Sequence, residues 1–117
     1  MSYQPGIHLI ATLQTEQTHL LEQYDALRPW INEQISEHRL QKLGDVYHNF
    51  TPAGFTAVIC LSESHLSVHT WPEHGRINMD IYLSNFLQNN DGKVHRLYQA
   101  FQQFFGASVV NEQFIRR

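Results

Sequence analysis

The run Ser62-Glu63-Ser64-His65-Leu66-Ser67-Val68-His69-Thr70-Trp71-Pro72-Glu73 gathers the residue types best suited to chemistry. Hydroxyls, imidazoles, carboxylates and an indole crowd into one short segment. It follows an apolar run, Phe55 to Cys60, that reads as buried. Polar groups at the edge of a core must be hydrogen-bonded or used.

Three chemistries fit those residue types. A metal site would use His65 and His69, which share a face if the segment is helical. β-Branched Val68 and Thr70 and the following proline favour a strand, where the pair lies about 13 Å apart, so no metal is expected. A serine hydrolase could draw on Ser62, Ser64, His65, His69 and Asp80, but the Gly-x-Ser-x-Gly elbow is absent. The third chemistry is attack by a serine on its own backbone. Ser64 opens the strand after a turn, and a tight turn strains the peptide and brings a hydroxyl near the preceding carbonyl. The bland alternative is that Ser62 and Ser64 only cap that turn.

The elements that must position this segment follow from periodicity. Gly6 to Leu13 reads as a strand. A helix capped by Thr15 or Thr18 carries the stripe Leu20, Leu21, Tyr24, Leu27, Ile31 and Ile35, with Pro29 kinking it or starting a second helix. Strands follow over 44–50, 55–61, 65–71 and 76–83, separated by Thr51-Pro52-Ala53-Gly54 and Pro72-Glu73-His74-Gly75. The third strand, apolar on both faces, should be central and bury Cys60. Val94, Leu97, Tyr98, Phe101, Phe104 and Phe105 form the stripe of a second helix, which Asn89-Asn90-Asp91-Gly92 precedes as a chain break that offers a cap, and which Gly106 ends. Residues 107–115 form a last strand. The expectation is one α+β domain over 1–117, a two-layer sandwich with an antiparallel-rich sheet and helices on one face.

Composition narrows the function classes. A net charge of −3 with no basic patch argues against nucleic acid. One cysteine rules out an intrachain disulfide framework and suits a reducing cytoplasm. No signal peptide and no apolar run of about 18 residues is visible, so no membrane role is expected.

The segment as a whole resembles the signature of the small prokaryotic S-adenosylmethionine decarboxylase proenzymes. The likeness extends to Gly6-x-His8-Leu9 and to His48-x-Phe50-x-Pro52-x-Gly54. The resemblance implies a self-processing enzyme. Ser64 attacks the carbonyl of Glu63, elimination cuts the chain into 1–63 and 64–117, and Ser64 becomes a pyruvoyl group. That group is the only cofactor implied. It forms a Schiff base with the substrate amine and acts as the electron sink for loss of carbon dioxide. His69 matches the histidine that assists cutting, and Thr56 a hydroxyl helper. Phe50 and Trp71 match aromatics of a nucleoside pocket, and Glu73 an acid that binds ribose hydroxyls.

One position departs from the pattern. The cysteine that returns a proton to the substrate in this family falls on Ser84, and a hydroxyl is a far weaker acid than a thiol. Arg76 and Asn78 also add polarity where the family is small or aromatic. Three readings follow: an S-adenosylmethionine decarboxylase supplying spermidine synthesis, a related ornithine or arginine decarboxylase, or an inactive homologue that binds and regulates a partner. The resemblance also implies a homodimer.

Overall fold

The computed structural model describes residues 3–85 and 88–117. Six strands are laid down in the order β1 (Ile7–Gln14), β2 (Lys42–Asn49), β3 (Phe55–Leu61), β4 (Ser64–Trp71), β5 (Arg76–Leu83) and β6 (Ser108–Arg116). Helix α1 (Leu27–Glu37) separates β1 from β2, and α2 (Asp91–Phe105) separates β5 from β6. The strands form one sheet in the spatial order β2-β3-β4-β5-β1-β6, with every neighbouring pair antiparallel. This is the expected α+β sandwich, with each strand within two residues of its expected bounds.

The two-residue side-chain period of a strand decides which face is core. Ile77, Met79, Ile81 and Leu83 of β5 are buried, as are Leu66 and Val68 of β4 and Leu9, Ala11 and Leu13 of β1. The helices cover that face. Leu27, Ile31 and Ile35 of α1 and Val94, Leu97, Tyr98, Phe101 and Phe105 of α2 are all buried. Trp30 bridges the helices, its ring 4.9 Å from Phe101 and 4.7 Å from Phe104. Truncating a buried ring such as Phe101 would cost about 3–5 kcal/mol.

The other face of the sheet is bare. β3 therefore alternates instead of burying both faces: Phe55, Ala57, Ile59 and Leu61 point to the core, while Val58 and Cys60 are exposed. The expectation of a buried Cys60 is thus corrected. A central place in the order gives two strand neighbours, but it does not give two covered faces.

The first helix also starts later than its apolar stripe suggests. Thr18–Leu21 forms only a single 3-10 turn, and α1 begins at Leu27. Pro29 lies in the first turn of α1, where backbone N–H groups have no intrahelical partner, so the helix is started there and not kinked. Thr15 caps neither helix. Its hydroxyl donates to the Phe105 carbonyl at 2.6 Å, tying β1 to the end of α2.

Candidate functional site

β4 carries most of the expected site residues and sorts them by position and face. Ser64 is its first residue and lies in the side-chain register of core-facing Leu66, Val68 and Thr70. His65, Ser67, His69 and Trp71 occupy the bare face. Two separate clusters result, one at each end of the strand.

The first cluster surrounds the Glu63–Ser64 bond. Leu61 pairs with Ser64, so Ser62 and Glu63 form a two-residue turn. Glu63 has φ of +54°, a left-handed conformation that costs a non-glycine residue about 1–2 kcal/mol. Strain therefore lies directly at the bond that the signature marks. The Ser64 Oγ accepts a hydrogen bond from the backbone N–H of Ser84 at 3.0 Å. The Ser84 carbonyl in turn accepts from Asn90 Nδ2 at 2.8 Å. Ser62, Glu63, Ser64, Ser84, Gln88 and Asn90 share the walls of a cavity of about 260 Å³. Gly6 has a role here, because a Cβ at that position would overlap the Leu83 carbonyl oxygen next to Ser84.

The second cluster lies at the C-terminal end of β4. Thr56 and His69 are cross-strand partners, and the Thr56 hydroxyl is 2.9 Å from His69 Nδ1. Phe50, Thr56, His69, Trp71 and Glu73 all line one cavity of about 350 Å³. Phe50 is 51% exposed and Trp71 41%, so both rings offer faces to a ligand and neither is core packing. A second cleft of about 570 Å³ shares Trp71 and is lined by His74, Arg76, Asn78 and Thr12.

The two clusters do not meet within one chain. Five residue steps at about 3.3 Å each put roughly 17 Å between Ser64 and His69. The odd spacing also sends their side chains to opposite faces of the sheet.

Between the clusters the bare face holds a polar network. Asp80 Oδ2 lies 2.7 Å from His8 Nε2 and 2.6 Å from His65 Nε2, and the Ser67 hydroxyl donates to Asp80 Oδ1. Arg117 Nη1 is 3.2 Å from His8 Nδ1. Arg117 can only donate, so His8 Nδ1 accepts and its Nε2–H points at Asp80. Burial pushes the pKa of Asp80 up, but hydrogen bonds from Ser67, His8 and His65 outweigh that and hold the carboxyl below its ordinary pKa. The ligand atoms of His8, His65 and Asp80 lie within 4.8 Å of one another, yet each is already accounted for by hydrogen bonding. Sequence reading joined His65 and Asp80 only as candidates for a hydrolase triad and did not connect His8 to either. They come from three strands and meet only through the β1–β5 and β4–β5 registers, where His8 and His65 both pair with Tyr82.

Asn90 was also legible only as a helix cap. It does precede α2, but its side chain makes no cap hydrogen bond and turns to Ser84. No sequence signal distinguishes the two uses.

Comparison with known proteins bears on the family and the fold. The family model described as S-adenosylmethionine decarboxylase matches residues 7–117. A protein of Archaeoglobus fulgidus called S-adenosylmethionine decarboxylase proenzyme is 35% identical over 86% of this chain and 86% of its own length. A proenzyme of the same name from Picrophilus torridus is 38% identical over 74% of this chain, a stretch that spans 66% of that protein. The crystal structure of adenosylmethionine decarboxylase from Aquifex aeolicus superposes with a TM-score of 0.84 at 25% identity, covering 99% of this chain and 92% of that one. By these matches, this chain belongs to the S-adenosylmethionine decarboxylase family.

Proposed function

We propose that this chain is a self-cutting decarboxylase that acts on S-adenosylmethionine and supplies aminopropyl groups for spermidine synthesis in the cytoplasm. The observation that carries the cutting step is the strained Glu63 turn with the Ser64 oxygen held by the Ser84 N–H. In that step the Ser64 oxygen bonds to the Glu63 carbonyl carbon while the carbon–nitrogen bond breaks and the hydroxyl proton passes to nitrogen. Loss of the Ser64 α-proton then expels the Glu63 carboxylate. Water completes conversion of the new N-terminus to a pyruvoyl group with release of ammonia. The residues fit this group because its precursor hydroxyl already borders a cavity and has a donor on its oxygen. Once made, the group supplies the electron sink for loss of carbon dioxide.

Substrate recognition falls to the other cluster. The exposed faces of Phe50 and Trp71 suit a nucleoside and an adjacent sulfonium, and Glu73 suits ribose hydroxyls. The Thr56 hydroxyl beside His69 supports a proton-moving role for that imidazole.

The separation of roughly 17 Å means that a complete site needs a second copy. A twofold dimer with its β4 strands opposed would set the Ser64 end of one chain against the His69 end of its partner. The bare sheet face supports such an arrangement. Its Ile10, Val46, Val58 and Trp71 are between 40% and 68% exposed and would be covered in such a dimer.

Intact mass spectrometry of the purified protein, followed over time, tests the proposal. Two chains, 1–63 and 64–117 with a pyruvoyl terminus, are expected. An uncut chain would remove the enzyme reading and leave a binding role. Carbon dioxide release from S-adenosylmethionine, ornithine and arginine then tests the substrate, and release from an amino acid alone would overturn it.

A further inference from the structure

The buried side chain of Asn90 has given up the task its position predicts. An asparagine just before a helix ordinarily accepts an N–H of the first turn. Asn90 makes no such bond, although it directly precedes α2. It is only 7% exposed, and its Nδ2 donates to the Ser84 carbonyl at 2.8 Å. The amide orientation is fixed by chemistry, since a carbonyl needs a donor. Its Oδ1 is buried without a partner among the described residues, and Asn90 is one of the residues lining the cavity around Glu63 and Ser64.

The neighbours reinforce the same tether. Asn85 Oδ1 accepts the Asn90 backbone N–H at 2.7 Å, and Asn85 Nδ2 donates to Asp91 Oδ1 at 3.0 Å. Asp91 is in turn paired with Arg116 Nη2 at 2.9 Å. Ser84 and Asn85 are thereby fastened to the start of α2. The Ser84 N–H, one atom group away from the held carbonyl, is the donor on the Ser64 oxygen.

We propose that Asn90 is a positioning residue for cutting of the Glu63–Ser64 bond. It fixes the Ser84 main chain so that the Ser84 N–H stays on the Ser64 oxygen throughout the reaction. That oxygen gains electron density twice, first as it loses its proton to attack, then as it leaves with the Glu63 carboxylate. A fixed N–H donor favours both events. The inference rests on the self-cutting reading, but the parts assigned to Ser64 and His69 do not require it.

Asn90→Asp is the most informative change. The shape is kept, but an ionised carboxylate cannot donate to the Ser84 carbonyl, whereas a protonated one can. Cutting is followed by intact mass in folded, freshly prepared protein, as the ratio of variant to wild-type rate at each pH. The ratio should fall about 10- to 100-fold near pH 8 and recover as the pH is lowered through the carboxyl's titration. Asn90→Leu should be equally slow at every pH, with no recovery. Thermal melting identifies the folded fraction, and rates are taken per folded chain. A purely structural role predicts loss of folded protein with a normal rate in what remains. Wild-type rates in folded Asn90→Asp, or no recovery at low pH, would overturn the inference while leaving the self-cutting reading intact. A wild-type chain that is never cut would overturn both.

Discussion

The two ends of β4 are built for different tasks and by different means. The Ser64 end stores strain and holds the Ser64 hydroxyl through a main-chain donor: a left-handed Glu63, the Ser84 N–H and, behind it, the buried Asn90 side chain. The His69 end is open and built from side chains: two exposed aromatic rings, an imidazole with its hydroxyl partner and a carboxylate around a cavity. On the proposed reading, one end undergoes the bond breaking within the chain, and the other receives a molecule from solution and lends His69 to the cutting. The contrast explains why one short segment can carry both tasks, because a strand places residues five apart at a distance and on opposite faces.

Apart from His69, which the proposed reading also uses in cutting, changes at one end should leave the other's task alone. Trp71→Ala should raise KM for the nucleoside substrate by about 10- to 100-fold, since stacking of a base on an aromatic is worth about 1–3 kcal/mol. The extent of chain cutting, read by mass, should stay as in wild type. Ser84→Cys should speed turnover several-fold or reduce aminated dead-end product, because a thiol is the stronger acid. It should not change cutting, since Ser84 contributes to Ser64 through its backbone N–H. Glu63→Gly should stabilise the uncut chain by about 1 kcal/mol in urea unfolding, by relieving the left-handed strain. The same relief should slow cutting modestly while substrate affinity of the cut enzyme is unchanged.

The smallest expected effect concerns the network between the ends. The folded-state pKa of Asp80 lies below its unfolded value. Its contribution to stability is therefore full above the unfolded pKa and is lost as pH falls through the folded one. Wild-type melting temperature should drop across that acid range, and Asp80→Asn should flatten the drop. Equal slopes in the two proteins would show that the network contributes nothing measurable.

Much of this was legible in the sequence because it depends on local spacing. The signature marked the bond and the pocket residues, and strand alternation put Ser64 and His69 on different faces. The arithmetic that keeps His65 and His69 from sharing a metal also separates Ser64 from His69, the separation on which the proposed second chain rests. What stayed hidden depends on non-local register. His8, His65 and Asp80 meet only because β5 lies between β1 and β4. Cys60 reads as buried from its apolar neighbours, yet the sheet has helices on one face only. Asn90 reads as a cap because sequence cannot show which way a side chain turns.

The central claim is that the two ends work together across two chains. A His69→Ala chain keeps its Ser64, and a Ser64→Ala chain keeps its His69. Each should be cut poorly or not at all alone. After unfolding and refolding together, the account predicts cut His69→Ala chains in the mixture, with Ser64→Ala chains intact. No cutting above the separate controls, or wild-type cutting of His69→Ala alone, would contradict it.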